Sequence, residues 1–287
     1  MGKIGIIGGS GLYRIEGFDV TERKTVDTPF GSPSDEFVIG ELAGKKVVFL
    51  PRHEKGHSIL PTELNYRANI FAFKVLGVDS ILSVSAVGSL REEIKPQDAV
   101  IVDQFVDRTN QGRKTTFFGD GIVAHISFSD PVCPRLTKTI IDANKEIGIT
   151  VHPKGTYINV EGPAFSTRAE SNLFRSWGMD VIGMTNMPEA RLSREAGICY
   201  STIAFVTDYD CWRTGDSAEA VTLEMIIENL NKNVAVAKKM IVNTIQNLSE
   251  ERSCGCKDAL KDAMITSRDK VSPEMSEKLK PILDGNL

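Results

Sequence analysis

Two carboxylates follow a very apolar segment of the sequence. Residues 198–206 are rich in hydrophobic and β-branched side chains, and Asp208 and Asp210 come directly after them. Alternate residues of an extended chain point to the same side, so both carboxylates are expected in one place. If burial raises the pKa of Asp208, this residue can supply a proton to a departing group. The structural alternative is a helix cap or an ion-pair partner.

Three segments that end predicted strands offer groups suited to an anion. Gly8–Gly11 places glycine amides and the hydroxyl of Ser10 after the first strand. Arg52 and His53 follow a second strand, and a guanidinium binds phosphate through a two-pronged fork. Ser85 ends a third strand. The carboxyl ends of parallel strands meet at one edge of a sheet, so we predict one shared anion pocket.

The glycine-rich turn is not a dinucleotide fingerprint. When G-x-G-x-x-G is aligned from Gly9, position 14 is Arg14 instead of glycine, and the lysine of a phosphate-binding P-loop is also missing. Both observations count against a nucleotide-binding protein without catalytic activity, which remains the alternative from another class.

The carboxylate pair also has a preference among heterocycles. If the departing group is a purine, a carboxylate can handle the proton at N7 and accept a hydrogen bond from a 6-amino group. A 6-oxo purine would place its oxygen against the same carboxylates. The residues therefore favour adenine.

Short β-branched runs alternate with helical patterns, which predicts an α/β fold with a central mixed sheet flanked by helices. The runs are Lys3–Ile7, Lys46–Leu50, Ser80–Ser85, Ala99–Val102, Thr156–Val160, Val181–Met184 and Ile198–Thr207.

Helical spacing and capping signals locate three helices. A stripe from Leu64 to Val75 follows Pro61, and Thr167 with Glu170 forms a capping-box pattern. A long helix is predicted from Ala218 to Leu248. Because no linker interrupts the chain before that point, we predict one catalytic domain over residues 1–248 and a helical C-terminal tail over residues 249–287.

Composition narrows the class of partner and the compartment. The 287 residues carry a formal net charge of −4, which argues against general binding to nucleic acid or to a membrane surface. The N-terminus lacks a signal-peptide pattern, and no apolar run reaches the ~20 residues of a membrane span. We therefore expect a cytoplasmic protein whose partners are small molecules. The five cysteines do not form a disulfide framework.

Several motifs taken together resemble the methylthioadenosine phosphorylase branch of the trimeric purine nucleoside phosphorylase family. The resemblance covers about residues 1–248. The motifs are Gly5–Leu12, Arg52–His53, Glu161–Glu170, Met184–Ala190 and Thr207–Trp212.

The resemblance implies a role for individual residues. It implies that phosphate is held by Ser10, Arg52, His53, Ser85, Ala86 and Thr185. It implies that Met184 lies by the ribose, that Phe165 and Ser166 line the base pocket, and that Asp208 and Asp210 are the catalytic pair that reads N7 and the 6-amino group. His125 matches a position that reaches the 5′ substituent in a neighbouring subunit. Met184, Phe165 and Val221 would form an apolar wall, although Val221 is more simply a core residue.

The implied activity is phosphorolysis of 5′-methylthioadenosine without a cofactor or metal, with inorganic phosphate as co-substrate. Bound phosphate stabilises and captures an oxocarbenium-like sugar. The family also implies a homotrimer, with a hexamer as the alternative. A phosphorylase for inosine and guanosine, or one acting broadly on adenosine and 5′-deoxyadenosine, is the closest competing function.

Cys254 and Cys256 in the tail resemble a Cys-x-Cys element of microbial relatives. They can form a strained, redox-labile link. Zinc binding is disfavoured because no second pair of cysteines or histidines lies nearby in the sequence. Two unlinked thiols are the simplest expectation.

Overall fold

Eleven β-strands form one sheet at the centre of the described chain. The computed structural model describes residues 2–9, 11–12, 14–213 and 223–283. The strands are Lys3–Gly8 (β1), Asp19–Lys24 (β2), Phe37–Leu42 (β3), Lys45–Pro51 (β4), Val78–Ser89 (β5), Ala99–Ile101 (β6), Gln104–Arg108 (β7), Val151–His152 (β8), Thr156–Val160 (β9), Val181–Gly183 (β10) and Cys199–Tyr209 (β11).

The sheet is mixed and branches at its longest strand. Its main order is β2-β3-β4-β1-β5-β10-β9-β7, while β11 pairs with β5 and β6, and β6 pairs with β8. Strands β4, β1, β5 and β11 are parallel neighbours, whereas β10 runs antiparallel to the end of β5. Because four parallel strands end at the same edge, the segments that follow them converge there.

Helices cover both faces of the sheet, which confirms the predicted α/β class. They are Tyr66–Val75 (α1), Pro134–Ala143 (α2), Arg168–Ser176 (α3), Asn186–Glu195 (α4), Leu223–Asn247 (α5), Pro273–Lys278 (α6) and Lys280–Leu283 (α7). No helix in the described part of the chain is long and apolar enough to cross a bilayer.

The structure shows how helices α1 and α3 are capped at their N-termini. Thr167 accepts a hydrogen bond from the backbone of Glu170, and the Glu170 side chain bonds back, so the predicted capping box is confirmed. Helix α1 begins at Tyr66, later than the Pro61 signal, because Asn65 caps it by accepting from the Ala68 amide.

Two apolar clusters pack on opposite faces of the sheet. One cluster contains residues of α1 and α4, including Ile70, Phe73 and Leu192. The other contains residues of α2 and α5, including Leu136 and Met240. Each helix therefore buries one apolar stripe against the strands, and the sheet becomes a rigid base for the loops at its edge.

The C-terminal tail packs into the first cluster. Helix α5 ends at Asn247, next to the boundary that we place at residue 248, and the tail contains short 3₁₀ and α-helical turns. Leu260, Leu279 and Ile282 are almost completely buried in the same cluster as α1. The tail therefore contributes to the core, while its treatment as a separate unit stays a prediction.

Folding also brings a second cysteine pair to the tail. The Sγ atoms of Cys133 and Cys199 lie within 4.8 Å of those of Cys254 and Cys256. All of these cysteines are unlinked thiols. The lack of a second pair nearby in the sequence does not hold in space, because residues remote in sequence meet at the start of β11.

Candidate active site

A cavity of about 270 Å³ lies where strands β1, β4, β5, β10 and β11 end, and helix α5 covers it. Most of the predicted site residues line it: Arg52, His53, Ser85, Ala86, Phe165, Ser166, Met184, Thr185, Asp208 and Asp210. The predicted anion and carboxylate groups thus share one cleft.

The remaining three predicted residues are not among the described residues that line this cavity. Ser10 and Val221 lie outside the residues that the structure describes. His125 is exposed and lines a separate depression with Arg194, where its backbone N–H donates to the Ala263 carbonyl at 2.8 Å. Its predicted contact with a neighbouring subunit stays a prediction.

A bulge near the end of β11 positions the carboxylates. The pairing of β11 with β5 shifts between Val206, which lies opposite Val87, and Asp208, which lies opposite Gly88. Thr207 is the extra residue, and such a bulge redirects the side chains that follow it. A β-carbon on residue 88 would lie 3.2 Å from Asp208 Oδ1, so glycine leaves room for the carboxylate.

Two asparagines of α5 hold the bulge in place. The Asn229 side-chain amide donates to the carbonyl of Thr207 at 2.7 Å, and that of Asn233 donates to Val206 at 2.9 Å. The Val206 carbonyl also accepts from the backbone N–H of Gln97 at 2.9 Å, so both carbonyls at the bulge are hydrogen-bonded. Neither asparagine stands out in the sequence, since a polar residue on a long helix is usually part of its solvated face.

The surroundings of Asp208 favour the protonated form of its carboxyl group. Its side chain is 7% exposed, and burial, with the nearby charge of Asp210, raises its pKa to about 6. The Thr207 hydroxyl donates to Asp208 Oδ2 at 2.7 Å, which partly opposes this rise. A carboxyl group with such a pKa can serve as a general acid near neutral pH.

Asp210 presents a buried acceptor. Its Oδ2 atom has no hydrogen-bond partner among the described residues, and burial raises the pKa of the carboxyl group. A buried polar atom without a partner is unfavourable, and a bound donor relieves that cost. An amino group on a ligand at this end of the cavity would supply the missing hydrogen bond.

Arg52 is buried and largely occupied within the protein. Its Nε donates to Glu189 at 2.5 Å and its Nη2 donates to the other Glu189 oxygen at 3.2 Å. Nη2 also donates to Ser83, and Nη1 donates to the Val84 carbonyl at 2.9 Å. The two-pronged fork of the guanidinium therefore engages Glu189, and the predicted contact of Arg52 with phosphate stays a prediction. One of the five guanidinium N–H groups, on Nη1, is unassigned among the described residues.

Glu189 is a positioning residue that was not predicted from the sequence. It is 2% exposed and also accepts hydrogen bonds from Ser83 and Tyr200, each at 2.9 Å. Asn186 completes the buried network through bonds to Ser83 and Tyr200. Its position within the motif Met184–Ala190 was the available signal, but an acid on a helix normally faces solvent.

His53 is a neutral acceptor in this arrangement. Its Nδ1 lies 2.8 Å from the Ile59 carbonyl, which can only accept, so the ring proton is assigned to Nδ1. Burial and the charge of Arg52 lower its pKa to about 4. Nε2 therefore carries a lone pair at neutral pH, and the predicted donor role requires protonation. His57 stacks on the ring at 4.3 Å between centroids.

Thr185 is the N-cap residue of α4 and lines the cavity. The N-terminus of a helix carries a partial positive charge that favours an anion. The Thr185 side chain makes no capping bond, while the Thr185 backbone N–H donates to the Tyr157 hydroxyl at 3.4 Å. A β-carbon on residue 183 would collide with that hydroxyl, so Gly183 permits the approach.

Met184 lines the cavity, and an arginine holds its backbone in place. Arg113 donates to its carbonyl through Nη1 and pairs with buried Glu161 at 2.6 Å. Although burial alone would raise the pKa of Glu161, hydrogen bonds from Thr62, Gln111 and Arg113 lower it to about 2. This ion pair orders the loop around Met184. Arg113 carries no signal in the sequence.

Phe165 and Ser166 lie at the mouth of the cavity. Phe165 is 63% exposed, unlike the buried aromatic residues of the core. Ser166 is half-buried, and its carbonyl accepts a bond from the Cys211 thiol at 3.1 Å. The pair is therefore placed to cover a ligand from the open side.

Comparison with known proteins defines the class. Residues 3–246 match the family model of the phosphorylase superfamily, so the chain belongs to this family. The match spans every strand of the sheet and the elements that line the cavity.

The names of similar proteins are more specific than the family description. The chain is 57% identical over 280 residues to S-methyl-5′-thioadenosine phosphorylase of Geobacter sulfurreducens, covering 98% of this chain and 97% of that protein. It is similar to the crystal structure of a methylthioadenosine phosphorylase from an antarctic soil metagenomic library, with a TM-score of 0.92, 47% identity and coverage of 98% and 99%. Methylthioadenosine phosphorylase from Schistosoma mansoni in complex with adenine has a TM-score of 0.83, 38% identity and coverage of 88% and 93%.

Proposed function

We propose that this phosphorylase uses inorganic phosphate to cleave the N-glycosidic bond of 5′-methylthioadenosine, which gives adenine and 5-methylthioribose 1-phosphate. One observation carries the proposal: Arg52, His53 and Thr185 share a cavity with the buried carboxylates of Asp208 and Asp210. The names of the relatives and the adenine complex of a solved neighbour support the same substrate.

The two ends of the cavity are separated by a distance suited to a nucleoside. Arg52 contacts the Val84 carbonyl on β5, whereas Asp208 lies beside Gly88 on the same strand. Four residues of strand span roughly 13 Å. A sugar therefore fits between a phosphate at one end and a base at the other.

At the base end, the carboxylates divide the work. The raised pKa of Asp208 increases the fraction of this carboxyl group that holds a proton, and the protonated form gives its proton to N7 as the glycosidic bond breaks. Asp210 Oδ2 accepts from the 6-amino group, which removes the cost of its missing partner. The departing base leaves as neutral adenine.

At the phosphate end, fixed dipoles hold the nucleophile. The α4 N-terminus at Thr185, the remaining Arg52 N–H group and the Ser85 hydroxyl surround the anion. Ala86 is exposed on the otherwise buried middle of β5, so its small side chain leaves space for phosphate. Held below C1′, phosphate stabilises the positive charge of the sugar and then bonds to it.

An apolar wall suits the methylthio group. Ile226, Leu230 and Val234 of α5 line the cavity together with Met184. A methylthio group gains from apolar contact, while a hydroxyl at the same place would lose hydrogen bonds to water. His125 of a neighbouring subunit is proposed to reach this 5′ substituent.

The reaction is proposed to need no cofactor. The protein is proposed to act in the cytoplasm as a homotrimer, with a hexamer as the alternative assembly. Size-exclusion chromatography with light scattering measures the assembly directly.

The test is phosphate-dependent release of the base. Purified protein is incubated with methylthioadenosine, adenosine, 5′-deoxyadenosine or inosine, each with and without phosphate, and the free base is quantified. We expect adenine from methylthioadenosine only when phosphate is present, and much slower release of hypoxanthine from inosine. Faster turnover of inosine would assign the 6-oxopurine function instead, and nucleoside binding without turnover would favour a binding protein.

A further inference from the structure

Four cysteines converge far from the active-site cavity. They come from three separate regions: Cys133 is the N-cap residue of α2, Cys199 begins β11, and Cys254 and Cys256 lie in the tail. Their Sγ atoms all lie within 4.8 Å of one another, and three of the side chains are buried. Thiols from such distant segments meet only because the fold places them together.

The spacing fits a tetrahedral metal ion. Zinc–thiolate bonds of ~2.3 Å place the four sulfurs of a tetrahedral site about 3.8 Å apart. The spread of up to 4.8 Å, and the 3.3 Å between Cys199 and Cys254, bracket that distance. Small side-chain rotations therefore suffice to bring all four sulfurs onto one ion.

Two half-buried arginines supply a matching charge. Arg252 donates to Cys199 Sγ through Nη2 at 3.6 Å, and Arg135 does so at 3.8 Å. The Nε atoms of both arginines are buried without a hydrogen-bond partner among the described residues. Asp79 is the carboxylate whose charge acts on Arg252. The two guanidinium groups carry two positive charges, whereas Asp79 supplies one negative charge. A further negative charge is therefore expected at the sulfurs.

The charge balance separates a metal site from disulfides. A zinc ion with four thiolates carries a net charge of −2, which two guanidinium groups offset. Two disulfides would be neutral and would leave both arginines facing uncharged sulfur.

We propose that Cys133, Cys199, Cys254 and Cys256 bind one Zn²⁺ ion in a closed, structural site. Zinc enters as the divalent cation without a redox change. The four thiols lose their protons to solvent as their bonds to zinc form. Because all four positions are taken by protein ligands, the ion has no open site for catalysis.

The site fixes the tail to the catalytic domain. Cys199 begins β11 and Asp208 lies near its other end, nine residues later, which corresponds to roughly 30 Å of strand. The ion is therefore remote from the chemistry. Its ligands join the tail to the start of α2 and β11, and the tail residues that follow pack into the core.

The first experiment uses the wild-type protein, purified without chelators and with any affinity tag removed. Metal analysis by mass spectrometry should find about one zinc per chain. A mercurial reagent should release that zinc as it consumes four thiols, and the denatured protein in excess chelator should show all five thiols. Absence of zinc overturns the proposal, whether the four cysteines are then disulfides or free thiols.

Substitutions locate the ion. Cys199→Ser and Cys256→Ser should each lose at least about nine-tenths of the bound zinc, since three ligands hold it far less tightly. Cys211→Ser is the matched control, because Cys211 lies outside the cluster and should leave the zinc content unchanged. Equal zinc in all three variants refutes the assignment.

Cobalt provides a test that does not depend on the folding of variants. Wild-type protein stripped of zinc and loaded with Co²⁺ should show the sulfur-to-cobalt charge-transfer and d–d absorption of a tetrahedral thiolate site. A spectrum of octahedral cobalt without thiolate bands contradicts the proposal.

Discussion

Replacing Asp208 by asparagine is expected to lower turnover and raise stability at the same time. Asparagine keeps the shape and can still accept the bond from the Thr207 hydroxyl. It has no proton to give to N7, so kcat for methylthioadenosine should fall by about 100- to 10,000-fold, the usual contribution of a general acid.

The stability change follows from the raised pKa. Burial favours protonated Asp208, so its ionisation in the folded protein costs stability once the pH exceeds the ordinary value of 3.8. The cost is complete above about pH 6, and the rise of the pKa to about 6 corresponds to about 3 kcal/mol. Asp208→Asn should therefore be more stable by up to about 3 kcal/mol at pH 8, and by about half of that at pH 5.

Two measurements decide this prediction. Thermal unfolding at pH 5 and pH 8 compares wild type with Asp208→Asn, and kcat/KM against pH should lose its limb near pH 6 in the variant. Asp19→Asn, the same substitution on the exposed strand β2, controls for the removal of one negative charge. The reasoning fails if Asp208→Asn turns over within about tenfold of wild type, or if its stability gain is the same at both pH values.

Three further substitutions test other parts of the site. Glu189→Gln leaves buried Arg52 without its counter-charge and should lower the free energy of unfolding by about 3–5 kcal/mol. Denaturant titrations measure this change, and a loss below about 1 kcal/mol would contradict the described network. Asp210→Asn should lower kcat/KM for methylthioadenosine by about 10- to 150-fold and change that for inosine far less; equal losses would remove Asp210 from base recognition. Because the pKa of His53 is lowered to about 4, the folded protein loses stability as the pH falls from 6.5 to about 4, where the unfolded chain binds a proton that the folded chain does not. His53→Gln should therefore remove about 3 kcal/mol of this acid destabilisation from the profile of unfolding free energy against pH. Identical profiles for the variant and the wild type would refute this.

The strands and the edge at which the site lies were predictable from the sequence. The hydrophobic runs that precede Arg52 and Asp208 became β4 and β11, and parallel strands bring their carboxyl ends together. The prediction that Ser85 ends a strand is wrong, because β5 continues to Ser89 through its pairing with β10 and β11. Each run is long, apolar and β-branched, so local preference and tertiary packing agree.

The charge states of the phosphate end were not predictable. A guanidinium and an imidazole after a strand look like two donors for an anion. In the fold, Glu189 from a distant helix occupies the fork of Arg52, and the Ile59 carbonyl determines which nitrogen of His53 carries the proton. Such partners are set by tertiary packing, which residue spacing within one segment does not encode.

The bulge and the cysteine cluster were missed for a similar reason. Thr207 has the β-propensity of an ordinary strand residue, and only its pairing with β5 shows that it is the extra residue. Cys133 and Cys199 are separated from the tail by long stretches of sequence, so the Cys-x-Cys element looked isolated until β11 and α2 were placed.

The buried Arg52–Glu189 pair couples the proposed binding of phosphate to the uptake of a proton. The two charges cancel, so a dianion that arrives beside them meets helix dipoles and neutral donors, and the described residues that line the cavity offer no cation other than the paired Arg52. His53 lines the same cavity, and a neighbouring dianion raises the affinity of its Nε2 for a proton. Saturation with phosphate should therefore draw protons from the buffer, and calorimetric heats of binding should vary with the ionisation enthalpy of the buffer chosen.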